Sequence, residues 1–509
     1  MIPILSFQSI RSVEQAAMAA GLTEAELMDR AARGCVARIC ALEKDGRLSS
    51  ASSYHVVAGP GNNGGDGLLI ALYLHEAGRT VRVTRAVHGT TTSPGHKAAM
   101  ERLAHINLPI DQIIDSSDAI QFSDNEILID CLLGTGVTRP VTGLMASLVE
   151  AINGSKCEVI AVDLPTGTID PCFSSGQGPI VNADLTITFE VPKPAFFFPV
   201  TGRRTGDREV VSIGLDPWYA AGEPRFASLI EPLDIKSLLE PRERFSHKGD
   251  HGHALLMAGG PGCHGAALLA ARGCARSGVG LITVHGTEDT LMPIRTVLPD
   301  LMTSRDPSPD HIAQLPDLER YTSILFGPGI GRSTMTASVL SKLLDTWPGM
   351  LVIDADGLNL LAAGTGLIDR LSTRTVLTPH PREMDRLLGL PSTSGYDRLQ
   401  RTREFARDND CHIILKDAYT AVCSPDGAAY YLPTGNPGMA KGGTGDVLAG
   451  IVAGVAAQGY DPLNSSLIST YLHGRSGDLA AECIGMDAMR ASDLVDHLSD
   501  AWKELRGPA

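Results

Sequence analysis

Apolar positions along this chain follow two rhythms. Between Ser12 and Ala41 the Ala, Leu, Met and Val residues recur at helical spacing. The pattern breaks at Gly21, and Thr23-x-x-Glu26 then has the form of a capping box that starts a second helix. From Tyr54 onward the rhythm changes to short apolar runs, each ending in a turn with Gly or Asp. Tyr54–Ala58 runs into GPGNNGGDG (59–67) and then the helix-like LLIALYLHEAG. Val81–Val87 follows, Ile127–Asp130 runs into CLLGTG, Val159–Asp163 into LPTG, and Leu185–Phe189 comes last. Short apolar runs alternating with helical patterns predict an α/β fold, a parallel sheet with helices on both faces. Ligands of such sheets sit at the carboxyl ends of the strands, where all these turns would lie.

The rhythm lapses between about 215 and 245, in DPWYAAGEPRF and EPLDIKSLLEPRERF, which are rich in Pro and charge. A domain boundary is expected there. A second α/β series starts at His253 with HALLMAGGPG, an Ala-rich helix AALLAARGCARSG and LITVHG. It continues through SILFGPGIG, MLVIDADGLNLL, TVLTPHPRE and IILKDAYTAV to GMAKGGTGDVLAGIVAGVAAQG. The expected domains are 10–220 and 228–507, two fused α/β units without a sequence repeat. A length of 509 residues suits two large domains.

Composition narrows the partners. Lys and Arg number 43 against 58 Asp and Glu, a formal charge of −15, which argues against nonspecific binding to nucleic acid or an anionic membrane. No apolar stretch approaches a membrane span, and the N-terminus lacks a secretory pattern. Ten scattered cysteines without a C-x-x-C pair read as reduced thiols. A cytoplasmic location is expected. The 54 glycines cluster in short strings between apolar runs, which lets backbone N–H groups approach an anion closely and points to phosphorylated ligands.

In the first half, Gly59, Gly61 and Gly64 satisfy G-x-G-x-x-G. The acidic residue expected about 20 positions later for a ribose hydroxyl is missing from the next strand, which carries Arg82 and Arg85. Asn62, Asn63 and Asp66 within the loop, with Asp130 and Asp163 at strand ends, bring amide and carboxylate oxygens to one edge. Such oxygens suit a hard cation or a polar sugar and phosphate. They equally suit helix caps and turns.

GPGNNGGDG, the later DCLLGTGV, the DLPTG turn and ADLTITF followed by Lys193 resemble the NAD(P)H-hydrate epimerase family, the YjeF N-terminal domain, over roughly residues 10–215. The resemblance implies a Rossmann-like three-layer fold, interconversion of the R and S forms of NAD(P)H hydrated at C6 (NAD(P)HX), and use of potassium (K+). It implies that Asn62, Asn63, Gly64, Gly65 and Asp66 contact the hydrate. Gly134, Thr135, Gly136, Val137, Thr138, Arg139, Pro140 and Asp163 would line the nucleotide. Asn63, Asp130 and Thr166 would hold K+, with Thr166 standing where the family usually has Ser. Asp163 is the candidate acid/base. Lys193 is either its electrostatic partner or a surface cation.

In the second half, Gly442, Gly443, Thr444, Gly445 and Asp446 directly precede a strongly apolar helix. A Gly-rich helix start presents free N–H groups to a phosphoryl anion. Asp446 could be an N-cap, or a base that activates a hydroxyl for attack on phosphorus. HKGDHGHALLMAGG, GPGIG, DADGLNLL, LTPHPRE and NPGMAKGGTGDVLAG resemble the ADP-dependent NAD(P)H-hydrate dehydratase family over roughly 230–505. That family implies a ribokinase-like α/β fold, ADP and Mg2+. It implies the hydrate at Ala266, Gly329, His380 and Asp446, and the adenine nucleotide at Lys416, Asp417, Ala418, Tyr419, Thr420 and Gly445. The amides of Gly442, Gly443, Thr444 and Gly445 would stabilise the transferred phosphoryl. Asp417 stands where the family has Gly, and Arg382 replaces a common Gly. His247, His251 and His253 form a superficial metal pattern but have no partner ligand at suitable spacing.

The two resemblances concern one damaged metabolite. They imply a bifunctional repair enzyme, an isomerase and a lyase, whose partners are NAD(P)HX and ADP and which is expected to form a homo-oligomer. The alternatives are a ribokinase-like small-molecule kinase of the hydroxymethylpyrimidine or thiazole type with an accessory domain, and a nonenzymatic nucleotide-binding N-terminal domain.

Overall fold

The computed structural model describes residues 1–48, 53–87, 92–106, 108–115, 120–171, 178–216 and 225–507. The chain divides into two compact units, Ile2–Phe226 and the remainder from Ala227 onward. Part of the DPWYAAGEPRF segment, residues 217–224, lies outside the described residues.

A short strand, β1 (Ile2–Ile4), precedes the helices Phe7–Ala19 and Glu24–Lys44. The second helix opens on the capping box read from sequence, with Thr23 accepting from the Glu26 N–H and Glu26 accepting from Thr23 N–H. The sheet comprises β2 (Ser53–Ala58), β3 (Val81–Ala86), β4 (Ile110–Ile113), β5 (Glu126–Cys131), β6 (Glu158–Val162), β7 (Leu185–Phe189) and β8 (Asp207–Val211). All pairs are parallel, in the order β4-β3-β2-β5-β6-β7-β8. Side chains alternate across it. Val56, Ala58, Ile127 and Ile129 pack with helices Glu24–Lys44, Asn62–Glu76 and Pro94–Ala104, whereas Val57, Leu128 and Val159 pack with helix Leu144–Gly154. This is a three-layer, doubly wound fold. The strand order reverses between β2 and β5, so the loops after those two strands flank a switch-point crevice.

The second unit contains β9 (Ala227–Leu229), β10 (His253–Met257), β11 (Leu281–Gly286), β12 (Met302–Arg305), β13 (Ser323–Phe326) and β14 (Met350–Ile353). β15 (Thr375–Leu377), β16 (His412–Leu415), β17 (Thr420–Cys423) and β18 (Ala429–Leu432) complete it. Their order is β9-β18-β17-β16-β15-β14-β13-β10-β11-β12. The strands from β12 to β16 are parallel, but β17 pairs antiparallel with both neighbours, so this sheet is mixed. Its main core joins Ala254 and Leu256 to helices His264–Ala275, Thr444–Ala457, Pro462–Ile484 and Ala491–Arg506. Among the described residues, no helix is long and apolar enough to cross a membrane.

Candidate active sites

The glycine string after β2 is not the loop its composition predicts. The helix begins inside it, at Asn62, and Gly64, Gly65 and Gly67 form its first turns. The reason is close approach. A Cβ at Gly64 would collide with the carbonyl oxygen of Gly59, and one at Gly59 with that of Leu132. Gly59 N–H donates to Cys131 O at 3.0 Å, tying the end of β2 to the end of β5. The two loops thereby meet at the switch point.

There they open a cavity of about 900 Å³, a volume suited to a nucleotide-sized ligand. Asn62, Asn63, Asp66, Asp163 and every residue from Gly134 to Pro140 line it. Gly64 and Gly65 are buried beneath and face the fold instead. Asp163 carries a positive φ of 67°, a strained conformation for a non-glycine residue that turns the chain at the end of β6. Its Oδ2 accepts from Thr135 N–H at 3.2 Å. Its Oδ1 lies 3.0 Å from the Lys193 ammonium. Lys193 is no surface cation: it is 1% exposed, and its Nζ also donates to Thr188 Oγ1 (2.5 Å) and Phe189 O (2.8 Å). A buried ammonium needs this complete set of partners.

Asp130 and Thr166 lie together below the cavity. Thr166 donates through its N–H to Asp130 Oδ2 (2.8 Å) and through its hydroxyl to Asp130 Oδ1 (2.7 Å). Leu133 N–H donates to Thr166 Oγ1 (2.9 Å). Burial pushes the Asp130 carboxyl up to about 6 against these hydrogen bonds. Asn63 borders Gly134, the next residue along, and both polar atoms of its carboxamide are buried without a hydrogen-bond partner. An orphaned amide oxygen, a fully buried carboxylate and a hydroxyl are oxygen donors of the kind that fit a monovalent cation.

Two cavity groups went unrecognised in the sequence. Glu14 lies on helix Phe7–Ala19, four residues after buried Ile10 and three before buried Ala17. A carboxylate inside an apolar stripe was the available signal. Arg11, one turn earlier, donates to Thr135 O at 2.7 Å and holds that helix against the Gly134–Pro140 loop.

The second site also assembles at strand ends, around the switch between β10 and β13. Gly259 N–H donates to Pro328 O (2.8 Å), and Gly329, at φ 63°, borders Cys263 and Ala266. Ala266 and Gly329 are therefore neighbours. Asp446 is not an N-cap. Gly443, in the left-handed region at φ 94°, caps helix Thr444–Ala457, and Asp446 is the third residue of its first turn. The turn is pinned from both sides: Lys441 Nζ donates to Asp487 O (2.7 Å) and Met489 O (2.6 Å), and the Thr444 hydroxyl to Met439 O (3.0 Å).

Lys416, just past β16, stands 3.1 Å from Asp354 Oδ1 and 3.2 Å from where a Cβ at Gly445 would be. Asp354 is buried and also accepts from Thr378 Oγ1 at 2.7 Å. Burial, then Asp354, push the Asp446 carboxyl up to about 7, opposed by Lys416. His380 caps helix Pro381–Leu387, accepting from the N–H groups of Arg382 and Glu383, and contributes to the same electrostatic cluster through Glu383, Lys416 and Asp354. Asp417 is exposed and its Oδ1 accepts from Ala418 N–H (2.8 Å), within its own turn. Tyr419 and Thr420 are half-buried at the start of β17, and Arg382 is exposed. Asp354, within the quoted DADGLNLL string, is the group whose role the sequence concealed. His247, His251 and His253 take separate partners, Asp250, Ser246 and Thr283.

Residues 24–195 match the family described as YjeF-related protein N-terminus, and residues 254–500 match the NAD(P)H-hydrate dehydratase family. The chain is 34% identical over 468 residues to the bifunctional NAD(P)H-hydrate repair enzyme Nnr of Moorella thermoacetica, covering 88% of this chain and 87% of that one. It is 33% identical to the Coxiella burnetii enzyme (96% and 97% covered) and 31% to that of Escherichia coli K12 (96% and 91%). Over 55% of its length it also aligns with 99% of the solved ADP/ATP-dependent NAD(P)H-hydrate dehydratase from Bacillus subtilis, at 31% identity and a TM-score of 0.47. Fold and sites define a two-unit α/β enzyme with a candidate site at the strand-order reversal of each sheet. The chain belongs to the family of bifunctional NAD(P)H-hydrate repair enzymes. It is an isomerase and a lyase in one chain, NAD(P)H-hydrate epimerase and ADP-dependent dehydratase.

Proposed function

We propose that residues 10–220 form the epimerase domain and residues 228–507 the dehydratase domain, each working at the crevice described above. The observation that carries the dehydratase reading is Asp446. It is a part-buried carboxylate in the first turn of a helix, with its carboxyl at about 7 and Lys416 close by. A group with that proton affinity is suited to general-base work near neutral pH.

Asp446 takes the proton of the C6 hydroxyl of S-NAD(P)HX. The hydroxyl oxygen then attacks the terminal phosphoryl of ADP, and AMP leaves. The first N–H groups of helix Thr444–Ala457 have no partner within the helix and face the transferred phosphoryl, with the positive end of the helix dipole behind them. Lys416 adds a cation beside the same turn. Phosphate departs from C6 and a proton from C5, which restores the ring double bond. Mg2+ would be held chiefly by the nucleotide phosphates and supply charge neutralisation there. Lys416 to Thr420 and Gly445 bind the adenine nucleotide. Ala266, Gly329 and His380 border the hydrate. Asp417 leaves the phosphate path clear because its carboxylate is turned onto its own backbone.

In the epimerase domain, Asn63, Asp130 and Thr166 would hold K+, whose charge would keep Asp130 ionised and give the Asn63 oxygen a partner. Asn62, Asn63 and Asp66 contact the hydrate, and the Gly134–Pro140 loop its nucleotide. Asp163, oriented by Lys193 and Thr135 N–H, exchanges a proton with the hydrate. The enzyme works in the cytoplasm, as a homo-oligomer, on NAD(P)HX and ADP.

Product analysis tests the dehydratase reading. With S-NADHX and ADP the expected products are NADH, AMP and phosphate. A stable phosphorylated alcohol would mark a small-molecule kinase instead.

A further inference from the structure

The charged residues lining the first unit's cavity include Asp66, Asp163 and Lys193, which belong to the motifs that carry the family resemblance, and Glu14, which does not. Helix Phe7–Ala19 lays Ile10, Arg11, Val13 and Glu14 along one wall. Among the described residues no protein group hydrogen-bonds the Glu14 carboxylate, whereas Asp163 is held by Lys193 and Thr135 N–H. A hydrated nicotinamide ring bound in this cavity would share it with a tethered carboxylate and an untethered one.

We propose that Glu14 is a catalytic residue of the epimerase site, the partner of Asp163 in proton exchange with the hydrate. This rests on the epimerase reading of the unit. C6 of the hydrate carries both a hydroxyl and the ring nitrogen N1, so it can invert by ring opening. Asp163, as carboxylate, accepts the hydroxyl proton, the C6–N1 bond breaks, and C6 becomes an aldehyde. The bond's electron pair goes to N1, which takes a proton from the Glu14 carboxyl. Rotation about C5–C6 presents the other carbonyl face. Closure runs the steps backwards: N1 attacks C6, returns its proton to Glu14, and the oxygen regains one from Asp163. No oxidant or further reactant is needed.

The two carboxyls stand in different surroundings: Lys193 and Thr135 N–H hold Asp163, and among the described residues no donor holds Glu14. Burial, then the charge of Asp163, push Glu14 up to about 7, opposed by Lys193 and Arg11 and reinforced by Glu24. Asp66 faces the same groups and is also raised, by burial, Asp163, Glu14 and Glu24, so a comparison must separate it from Glu14.

The test uses the full-length protein with K+ and S-NADHX, without ADP, and follows formation of R-NADHX across pH for wild type, Glu14→Gln and Glu14→Asp. The expected wild-type rate falls as pH rises through about 7, as the acid is lost. Glu14→Gln should lower epimerisation about 100-fold or more and remove that limb. Dehydration with ADP should be unchanged. Glu14→Asp should recover part of the rate with the limb displaced. A Glu14→Gln enzyme that keeps the limb, at full or reduced rate, overturns the proposal and assigns the limb to Asp66. If Glu14→Gln does not fold, an unmoved limb in Glu14→Asp overturns it equally. A wild type that leaves S-NADHX unconverted overturns the epimerase reading, and this inference with it.

Discussion

Asp446 is ionised only at a cost set by its neighbours. Its carboxyl is raised to about 7 by burial and then by Asp354, so the base form accumulates as pH rises through that value. Dehydratase kcat/KM should rise through about pH 7, and Asp446→Asn should remove about 100-fold or more of the activity while epimerisation persists. The same shift links to stability. Between about pH 4 and 7 the unfolded carboxyl is ionised while the folded one still holds its proton, so folding stability falls as pH rises across that window. Above it, Asp446→Asn should be more stable than wild type, and at low pH the two should converge; thermal melts at both ends check this. In the other unit, Lys193→Met strips Asp163 of its buried partner and should cost about 3 kcal/mol or more of that unit's stability, measured by denaturant unfolding.

Elements matter here through how closely their backbones approach. Gly450, in the middle of helix Thr444–Ala457, faces the carbonyl oxygen of Ala270 so closely that a Cβ would collide with it. Gly450→Ala should therefore push two core helices apart and cost about 1–3 kcal/mol, seen as a lowered melting transition of the second unit. Close packing of this kind was partly legible in the sequence. The strand β7 matches its apolar run residue for residue, β2 and β3 match theirs to within one residue at one end, β5 and β6 to within one residue at each end, and the Thr23 capping box was explicit. The strands β4 and β8 were missed because edge strands carry little apolar signal: Asp111 and Gln112 sit exposed in one, and Asp207 opens the other. The string 59–67 was misread as loop because glycine propensity is local, whereas helix Asn62–Glu76 is held by its packing on β2, β3 and β5. Likewise the sequence left Asp446 open between cap and base because nothing local distinguishes Gly443 in the left-handed region as the cap.

At the scale of the whole molecule, both sites were visible as motifs but not as constellations. Asp354, Lys416 and Asp446 come from three distant segments and meet only because β14 and β16 end where helix Thr444–Ala457 begins. Glu14 and Asp163 line the same cavity of about 900 Å³, a relation no linear spacing encodes. Two candidate sites, each at a strand-order reversal, account for a glycine surplus in an acidic chain better than loop content does. The central claim is that one chain carries two independent activities on one damaged cofactor. It is tested most directly by giving the enzyme mixed R- and S-NADHX with ADP and K+ and resolving the two hydrates and NADH over time. Wild type should consume both hydrates and return NADH, and Asp446→Asn should interconvert them without forming NADH. If S-NADHX disappears no faster with enzyme and ADP than with ADP alone, the account is contradicted.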